Sequence, residues 1–163
     1  FHGDLHPGNC IIDQEGRFVF IDNGAICHAP TRVNKSLFIF FQHLSDHEFE
    51  DAFKALLGLS EKNLDDKDLT PYMAEMNEIY HDFEMKTVGE QSLTKIMMKT
   101  VRCAVEKAGA EFGEEAFPII RALMYLDGLV IRTHPNVRLI SSMGPYLDEF
   151  QRSLPIDKGV NIA

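Results

Sequence analysis

Three oxygen-bearing side chains near the start of the chain could do chemistry together: Asp4, Asn9 and Asp22. Asp4 and Asn9 share a loop that contains Pro and Gly, and Asp22 follows a predicted β-hairpin. Because a hairpin returns the chain close to its starting point, we expect Asp22 to lie beside Asn9. Carboxylate and amide oxygens suit Mg²⁺, whose remaining positions phosphate and water can fill. The pattern therefore predicts a magnesium–phosphate site, in which Asp4 is left to accept or orient the proton of an attacking hydroxyl group.

A β-hairpin is the element that would bring these residues together. Two short runs rich in Ile, Val and Phe, at 10–13 and 17–22, flank a turn at 14–16. Gly16 can adopt the positive φ that such a turn requires. The first quarter of the chain is therefore predicted to be extended and the remainder helical.

The spacing of apolar residues predicts about six helices after the hairpin. The first, from Pro30-Thr31 to about Leu44, is apolar nearly all round its axis, so we expect it to be well buried. Asp46 is the predicted N-cap of the second helix, which ends at Gly58. The other four are predicted at 72–83, at 93–108 with Gly109 as its stop, at 114–133 with Pro118 near its first turn, and at 143–150. The predicted fold class is therefore α+β, mainly α.

Composition places the chain among globular domains. Of its 163 residues, 45% are apolar and 25% are charged, which suffices for one domain with a core and is far from the profile of disorder. The net charge of −9 argues against general nucleic-acid binding, because Lys and Arg patches that neutralise phosphate are lacking. The same charge would repel an anionic nucleotide unless a cation intervened. The longest apolar runs hold five residues, too few to cross a bilayer.

The cysteines and the N-terminus indicate the protein's setting. Cys10, Cys27 and Cys103 are odd in number and form no CxxC pair, so we expect buried thiols in a reducing compartment. No targeting signal is visible, and the chain starts with Phe rather than Met. We therefore expect a fragment whose N-terminal part is missing, from a protein that is not secreted.

The spacing of the polar residues resembles that of phosphotransferases with the protein-kinase fold. Their catalytic loop runs His-x-Asp, four residues, then Asn, and Asp-x-Gly follows one hairpin later. The matching positions here are His2, Asp4, Asn9, Asp22 and Gly24. Each residue type alone is a common turn former, but the joint match at fixed offsets is much harder to obtain by chance.

The stretch His-Gly-Asp-Leu-His-Pro-Gly-Asn is similar to the loop of small-molecule kinases and of the AarF/UbiB family of atypical kinases. Features favouring AarF/UbiB are Phe1, the helix directly after 22–24, the paired helices at 31–58, the run at 122–128, Pro135, and 145–147. The resemblance implies one partial domain at 1–163, a kinase-like C-terminal lobe without its N-terminal lobe. Its parts are the catalytic loop, hairpin and metal motif at 1–24, a helical region at 25–154 and a tail at 155–163.

The resemblance also implies a role for each motif residue. Asp4 takes the catalytic-base position, and Asn9 and Asp22 bind the metal and, through it, the nucleotide. His2 is a structural brace of the loop, His6 contacts substrate or backbone, and Gly24 completes the Asp-x-Gly motif.

At the level of the whole protein, the resemblance implies binding of ATP or ADP with Mg²⁺ and a role supporting ubiquinone or other isoprenoid-lipid metabolism. The expected partners are a nucleotide and, through the parent protein, a lipid or membrane surface, with no nucleic acid. The expected location is cytoplasmic or membrane-associated. We expect kinase or ATPase activity in the intact parent and an inactive fragment, because no phosphate-covering loop or phosphate-pairing Lys precedes the motif.

Two other functions remain open. One is a small-molecule phosphotransferase of the aminoglycoside or choline kinase type, which shares the loop. The other is a pseudokinase module that binds lipid or a partner protein, because Asn23 replaces the Phe that usually follows the metal-binding Asp. A zinc site at His2, His6 and Asp4 is disfavoured, since no third His or Cys is near.

Outside the motif, few residues point to chemistry. Arg121 and Asp127 interrupt an apolar helix, and we expect each to make a satisfied buried polar contact. The cluster Leu37–Phe41 could be a membrane or partner surface, but core packing is favoured. We also expect exposed apolar patches on the hairpin and helices, where the missing part of the protein would cover them.

Overall fold

A computed structural model of the chain describes residues 2–83 and 85–153. Phe1 and the predicted tail at 155–163 lie outside the described residues. The named elements are β1 (Cys10–Ile12), β2 (Phe18–Phe20), α1 (Thr31–Ser45), α2 (Phe49–Leu57), α3 (Thr70–Tyr80), α4 (Leu93–Cys103), α5 (Ala116–Thr133) and α6 (Leu139–Ser153). A short 3₁₀ turn, Pro7–Asn9, precedes β1, and a π-helical turn, Ala104–Ala108, follows α4. The prediction of a mainly helical chain with an N-terminal hairpin is confirmed.

The hairpin forms as the sequence predicts. β1 and β2 are antiparallel, with Cys10 opposite Phe20 and Ile12 opposite Phe18. Gly16 has φ +78°, the left-handed conformation that this turn needs. Asp13 closes the turn, because its Oδ1 accepts hydrogen bonds from the backbone N–H groups of Glu15 (3.0 Å) and Arg17 (2.8 Å). Hydrogen bonds from the Arg17 backbone and side chain hold the pKa of Asp13 below its usual value.

α1 has the predicted bounds but is less buried than predicted. Val33, Phe40 and Leu44 are buried, whereas Leu37 to Ile39 and Phe41 are only half-buried. One face of α1 packs against α2 and another against α6. Leu37 and Phe41 line a partly open apolar pocket instead of close-packed core, which accounts for the difference.

The predicted N-cap of α2 is wrong. Asp46 caps the C-terminus of α1, where its backbone N–H donates to the Gln42 carbonyl at 2.9 Å. His47 then turns the chain with φ +63°, and α2 begins at Phe49 behind Glu48. Gly58 ends α2 as predicted.

The best-packed part of the molecule lies among α2, α3 and α4. Phe53, Tyr72, Met76 and Cys103 are completely buried there. The Tyr72 hydroxyl donates to the Phe53 carbonyl at 2.8 Å, so its polar atom is satisfied within the core. Burial raises the pKa of Tyr80, in the same cluster, to about 12.

The last helices agree with the sequence in part. Gly109 stops the α4 segment with φ +72°, and Pro118 falls in the first turn of α5, as predicted. α6 is longer than the predicted 143–150 and contains Pro145 in its interior. The expected exposed apolar side chains are present on the hairpin and helices: Ile11, Ile12, Phe18, Phe20, Ile21, Ile26, Phe117, Met124, Leu126, Tyr146 and Phe150. Among the described residues, no helix combines the length and apolarity needed to span a membrane.

Candidate functional site

His2 links the two halves of the predicted motif. The Asp4 backbone N–H donates to His2 Nδ1 at 3.2 Å, and His2 Nε2 lies 2.6 Å from the Asp22 carbonyl oxygen. Because Nδ1 accepts a hydrogen bond, the proton of the neutral ring is on Nε2 and is donated to Asp22. The ring also stacks on Phe20, with 5.2 Å between centroids. These contacts are those expected of a residue that braces the loop. Residue 23, where related kinases have Phe, is Asn, and here Phe20 packs against the His2 ring instead.

Asn9 joins the loop to the hairpin. Its Nδ2 lies 3.2 Å from the Asp4 carbonyl oxygen and 3.4 Å from Asp4 Oδ2. Its backbone carbonyl accepts from the Ile21 N–H at 3.0 Å, so the residue before Asp22 is held directly against it. Since the amide nitrogen faces Asp4, Oδ1 is the side-chain atom of Asn9 that can bind a cation.

Asp22 lies at the exposed end of the hairpin. Its Oδ1 accepts a hydrogen bond from the Gly24 backbone N–H at 2.8 Å. A Cβ on residue 24 would lie 3.1 Å from that oxygen, so Gly24 allows this tight turn. The Asn9 amide oxygen and the Asp22 carboxylate are the hard donors that Mg²⁺ prefers, so the residues present fit this ion.

Helix α5 anchors the loop from the other side. Arg121 Nε donates to the Gly3 carbonyl oxygen at 3.0 Å, and the Gly3 N–H donates to the Ala25 carbonyl at 2.7 Å. A Cβ at Gly3 would lie 2.7 Å from Cys27 Sγ and 2.9 Å from the Ala25 carbonyl oxygen, so a larger residue would push the loop away from residues 25–27. The expected burial of Arg121 is wrong, because its side chain makes this bond from an exposed position. Sequence reasoning missed its contact with the loop; its signal was a cation within the apolar first half of α5.

His6 contacts both backbone and α5. Its Nδ1 accepts from the Gly8 N–H at 3.0 Å, and its ring meets Tyr125 edge-on at 5.5 Å. The two side chains line an open surface depression of about 320 Å³ between the loop and α5, together with Pro7, Met124, Gly128 and Arg132. Nothing in the sequence spacing pointed to Tyr125 as a neighbour of the loop.

No group of three or more His, Cys, Asp or Glu side chains that could hold a metal occurs within residues 2–83 and 85–153. The predicted magnesium site has a different composition, with one amide and one carboxylate from the protein. Phosphate and water would supply the other ligands.

Comparison with known proteins bears out the resemblance. The model of the ABC1 atypical kinase-like domain family matches residues 1–56, which include the loop and the hairpin. "Protein ACTIVITY OF BC1 COMPLEX KINASE 3, chloroplastic" from Arabidopsis thaliana is 28% identical over 156 residues, covering 90% of this chain and 20% of that protein. "Probable protein kinase UbiB" from Blochmanniella pennsylvanica is 23% identical over 160 residues, covering 93% of this chain and 28% of that protein.

The resemblance to the AarF/UbiB atypical kinases is thus confirmed over most of the chain, which spans less than a third of these relatives' length. No solved structure matches the chain at a significant level.

Proposed function

We propose that this AarF/UbiB-like chain carries the catalytic loop and the magnesium-binding part of an ATP site. The observation that carries the proposal is the single hydrogen-bonded network of His2, Asp4, Asn9 and Asp22. This network holds together residues that lie up to 20 positions apart in the sequence. Their sequence spacing is the one found in the catalytic loop and Asp-x-Gly motif of protein kinases. The parent protein would be an atypical kinase or ATPase.

Different residues of the network would serve proton transfer and phosphate binding. Asn9 Nδ2 faces both the carbonyl and the carboxylate of Asp4, which fixes the direction of that carboxylate. Asp4 would then accept the proton of the attacking hydroxyl or water as the oxygen–phosphorus bond forms and ADP leaves.

Asn9 Oδ1 and the Asp22 carboxylate would hold Mg²⁺, which neutralises phosphate charge when it is bound. A chain of net charge −9 needs such a cation to retain an anionic nucleotide. The brace at His2 keeps the Asp22 backbone next to the loop that carries Asn9.

The resemblance supports a wider proposal for the intact protein. It would support ubiquinone or other isoprenoid-lipid metabolism and meet a lipid or membrane surface through parts outside this chain. Its location would be cytoplasmic or membrane-associated, in a bacterium or a eukaryotic organelle. The names of two relatives, one a chloroplastic kinase and one a UbiB protein, are in line with this proposal.

Titration of Mg-ATP into the intact parent protein, followed by calorimetry, tests the metal assignment. We expect Asp22→Asn and Asn9→Ala to weaken Mg-ATP binding roughly 10- to 100-fold. Loss of a side chain that only orients a metal ligand already weakens metal affinity by this factor. Asp13→Asn is the matched control, because it removes the same charge from the other end of the hairpin and keeps an oxygen for the turn. Equal affinity in all four proteins would rule out the metal assignment.

Turnover separates an enzyme from a pseudokinase. Asp4→Asn should keep Mg-ATP affinity while lowering phosphate release about 100-fold or more, because a positioned base contributes 10²–10⁴ in rate. A parent protein that binds Mg-ATP without turnover would be a binding module. Fast phosphorylation of an amino sugar or amino alcohol would instead favour a small-molecule kinase.

A further inference from the structure

Helix α5 contacts the loop on both sides of Asp4. Arg121 Nε donates to the carbonyl oxygen of Gly3, the residue before Asp4, at 3.0 Å. The ring of Tyr125 meets the ring of His6, two residues after Asp4, with 5.5 Å between centroids. Because the two α5 side chains are four positions apart, they lie on one face of the helix. This face of α5 therefore supports the segment of the loop that carries Asp4.

Another face of α5 is fixed to α4. Asp127 is only 5% exposed, and its Oδ2 accepts from the Thr94 backbone N–H at 2.9 Å and from Thr94 Oγ1 at 2.6 Å. Asp127 thus makes a buried polar contact as predicted, although its other oxygen, Oδ1, has no hydrogen-bond partner in the described structure. Asp127 is six positions from Arg121, so the two side chains lie about 120° apart around the helix axis. One face of α5 is therefore anchored to the helical region and another to the loop.

The peptide unit between Gly3 and Asp4 has both of its polar groups engaged. Its carbonyl oxygen accepts from Arg121, and its N–H donates to His2 Nδ1 at 3.2 Å. The next peptide unit is held as well, because the Asp4 carbonyl accepts from Asn9 Nδ2 at 3.2 Å. Since each peptide unit is planar, these bonds restrict backbone rotation on both sides of Asp4 and so restrict the direction of its side chain.

One of these bonds comes from outside the sequence motif and from a charged donor. Hydrogen bonds from charged donors are stronger than those between neutral groups. We propose that Arg121 is a positioning residue, which aims the Asp4 carboxylate for proton transfer by holding the Gly3 carbonyl. The proposal rests on the proposed function, in which Asp4 is the base.

The proposed magnesium ligands are held by other contacts. The Asn9 carbonyl accepts from the Ile21 N–H at 3.0 Å, and the Asp22 carbonyl lies 2.6 Å from His2 Nε2. Arg121 takes part in neither contact. Loss of its hydrogen bond should therefore lower the rate of turnover and leave the affinity for Mg-ATP unchanged.

Two substitutions in the intact parent protein isolate this hydrogen bond. Arg121→Gln places an amide N–H group the same number of bonds from the backbone as Nε, whereas Arg121→Met places a methyl group there. We expect Arg121→Met to lower kcat roughly 10- to 100-fold, because a misplacement of about 1 Å can cost up to 100-fold, and to change the Kd for Mg-ATP less than about twofold. Arg121→Gln should keep kcat within about threefold of the unaltered protein, because the donor is retained.

Arg102→Met is the matched control, because it removes an exposed cation from α4, where the side chain lies 3.9 Å from Glu106. Its kcat should be unchanged. A double variant shows whether Arg121 acts through Asp4. In an Asp4→Asn background, Arg121→Met should lower kcat no further, because the base that Arg121 positions is already absent. Losses that multiply in the double variant would overturn the proposal.

Hydrogen exchange of the loop at 2–9, read by mass spectrometry, needs no activity. Exchange should become roughly tenfold or more faster in Arg121→Met, from which a bond to a charged donor is lost, and should stay unchanged in Arg121→Gln. Unchanged exchange in Arg121→Met, or faster exchange with unchanged kcat, would overturn the proposal. If the unaltered parent shows no turnover, the proposed function fails, and exchange alone then decides whether Arg121 holds the loop.

Discussion

The loop and hairpin at 2–27 and the core among α2, α3 and α4 are held together in different ways. In the hairpin the apolar side chains are largely in solvent, with Ile12 68% exposed, and the loop is fixed by hydrogen bonds of His2, Gly3 and Arg121. In the core, Phe53, Tyr72 and Met76 are completely buried. The core that stabilises the fold and the site of the proposed chemistry are thus separate regions, one built by packing and the other by directed polar contacts.

The magnitudes of the two kinds of contact differ. Burial of a large apolar side chain contributes about 1.5–3 kcal/mol, whereas one hydrogen bond contributes about 0.5–1.5 kcal/mol net. We therefore expect substitutions in the core to unfold the chain and substitutions in the loop to displace the site while the helices persist.

The largest effect is expected at Phe53. Phe53→Ala removes a ring that contacts Phe49 and Tyr80 and leaves a cavity, so the free energy of unfolding should fall by about 3–5 kcal/mol. Urea denaturation followed by circular dichroism measures it. Phe18→Ala in β2 is the matched control, and because Phe18 is 45% exposed we expect a much smaller loss. Similar losses for the two variants would contradict the division into two regions.

An intermediate effect is expected at Gly3. In Gly3→Ala the added Cβ meets Cys27 Sγ at 2.7 Å and the Ala25 carbonyl oxygen at 2.9 Å. The crowding should cost about 1–3 kcal/mol and separate the loop from residues 25–27. Hydrogen exchange of the Gly3 amide, which is bonded to Ala25, should accelerate while amides of α3 keep their protection.

Gly128→Ala provides the control for that experiment. A Cβ at this position in α5 meets no heavy atom within 4 Å in the described structure, and alanine favours a helix over glycine by about 1 kcal/mol. We expect unchanged or slightly raised stability. Faster exchange throughout α3 in Gly3→Ala would show that the loop and the core unfold together.

The smallest effect concerns thiol reactivity, with no loss of stability at neutral pH. Burial raises the pKa of Cys103 to about 11, so at pH 8 only about one thiol in a thousand is ionised. Cys10 in β1 is half-buried. Limited alkylation at pH 8, read by mass spectrometry, should therefore modify Cys10 well before Cys103. Equal labelling would show that the core opens as readily as the hairpin.

The same thiol makes stability depend on pH in the alkaline range. The folded-state pKa of Cys103 is raised above that of an unfolded thiol, about 8.5. The contribution of the buried, protonated thiol to the free energy of unfolding is therefore complete below about pH 8.5, and it is lost as the pH rises towards 11. Alkylation of Cys103 should increase over that interval.

Local patterns predicted the elements, because the causes of those elements are local. The positive φ of Gly16 and Gly109 follows from their own freedom, and the hairpin follows from the residues at 10–22. Asp46 was predicted wrongly because aspartate suits a turn as well as an N-cap, and the left-handed turn at His47 decided between them. α6 was predicted too short because the residues flanking the predicted ends, at 141–142 and 151–153, are polar and continue no apolar spacing.

For the candidate site, the sequence predicted the local contacts and not the contacts between residues far apart in the chain. The offsets of His2, Asp4 and Asn9 predicted one loop, and the hairpin predicted that Asp22 would return to it. The bond from Arg121 to Gly3 joins residues 118 positions apart, and no spacing rule reports such a contact. The orphan oxygen of Asp127 was equally hidden, because sequence indicates a buried polar residue and not which of its atoms lacks a partner.

The ribbon of β1 and β2 has a consequence for anyone who purifies this chain. Each strand is three residues long, and in the described structure the sheet consists of these two strands alone. The outward N–H and C=O groups form open edges, and an open edge is a template for strand addition. At high protein concentration, two ribbons can therefore dock side by side and seed oligomers, while the mutual repulsion of chains of charge −9 opposes this at low ionic strength.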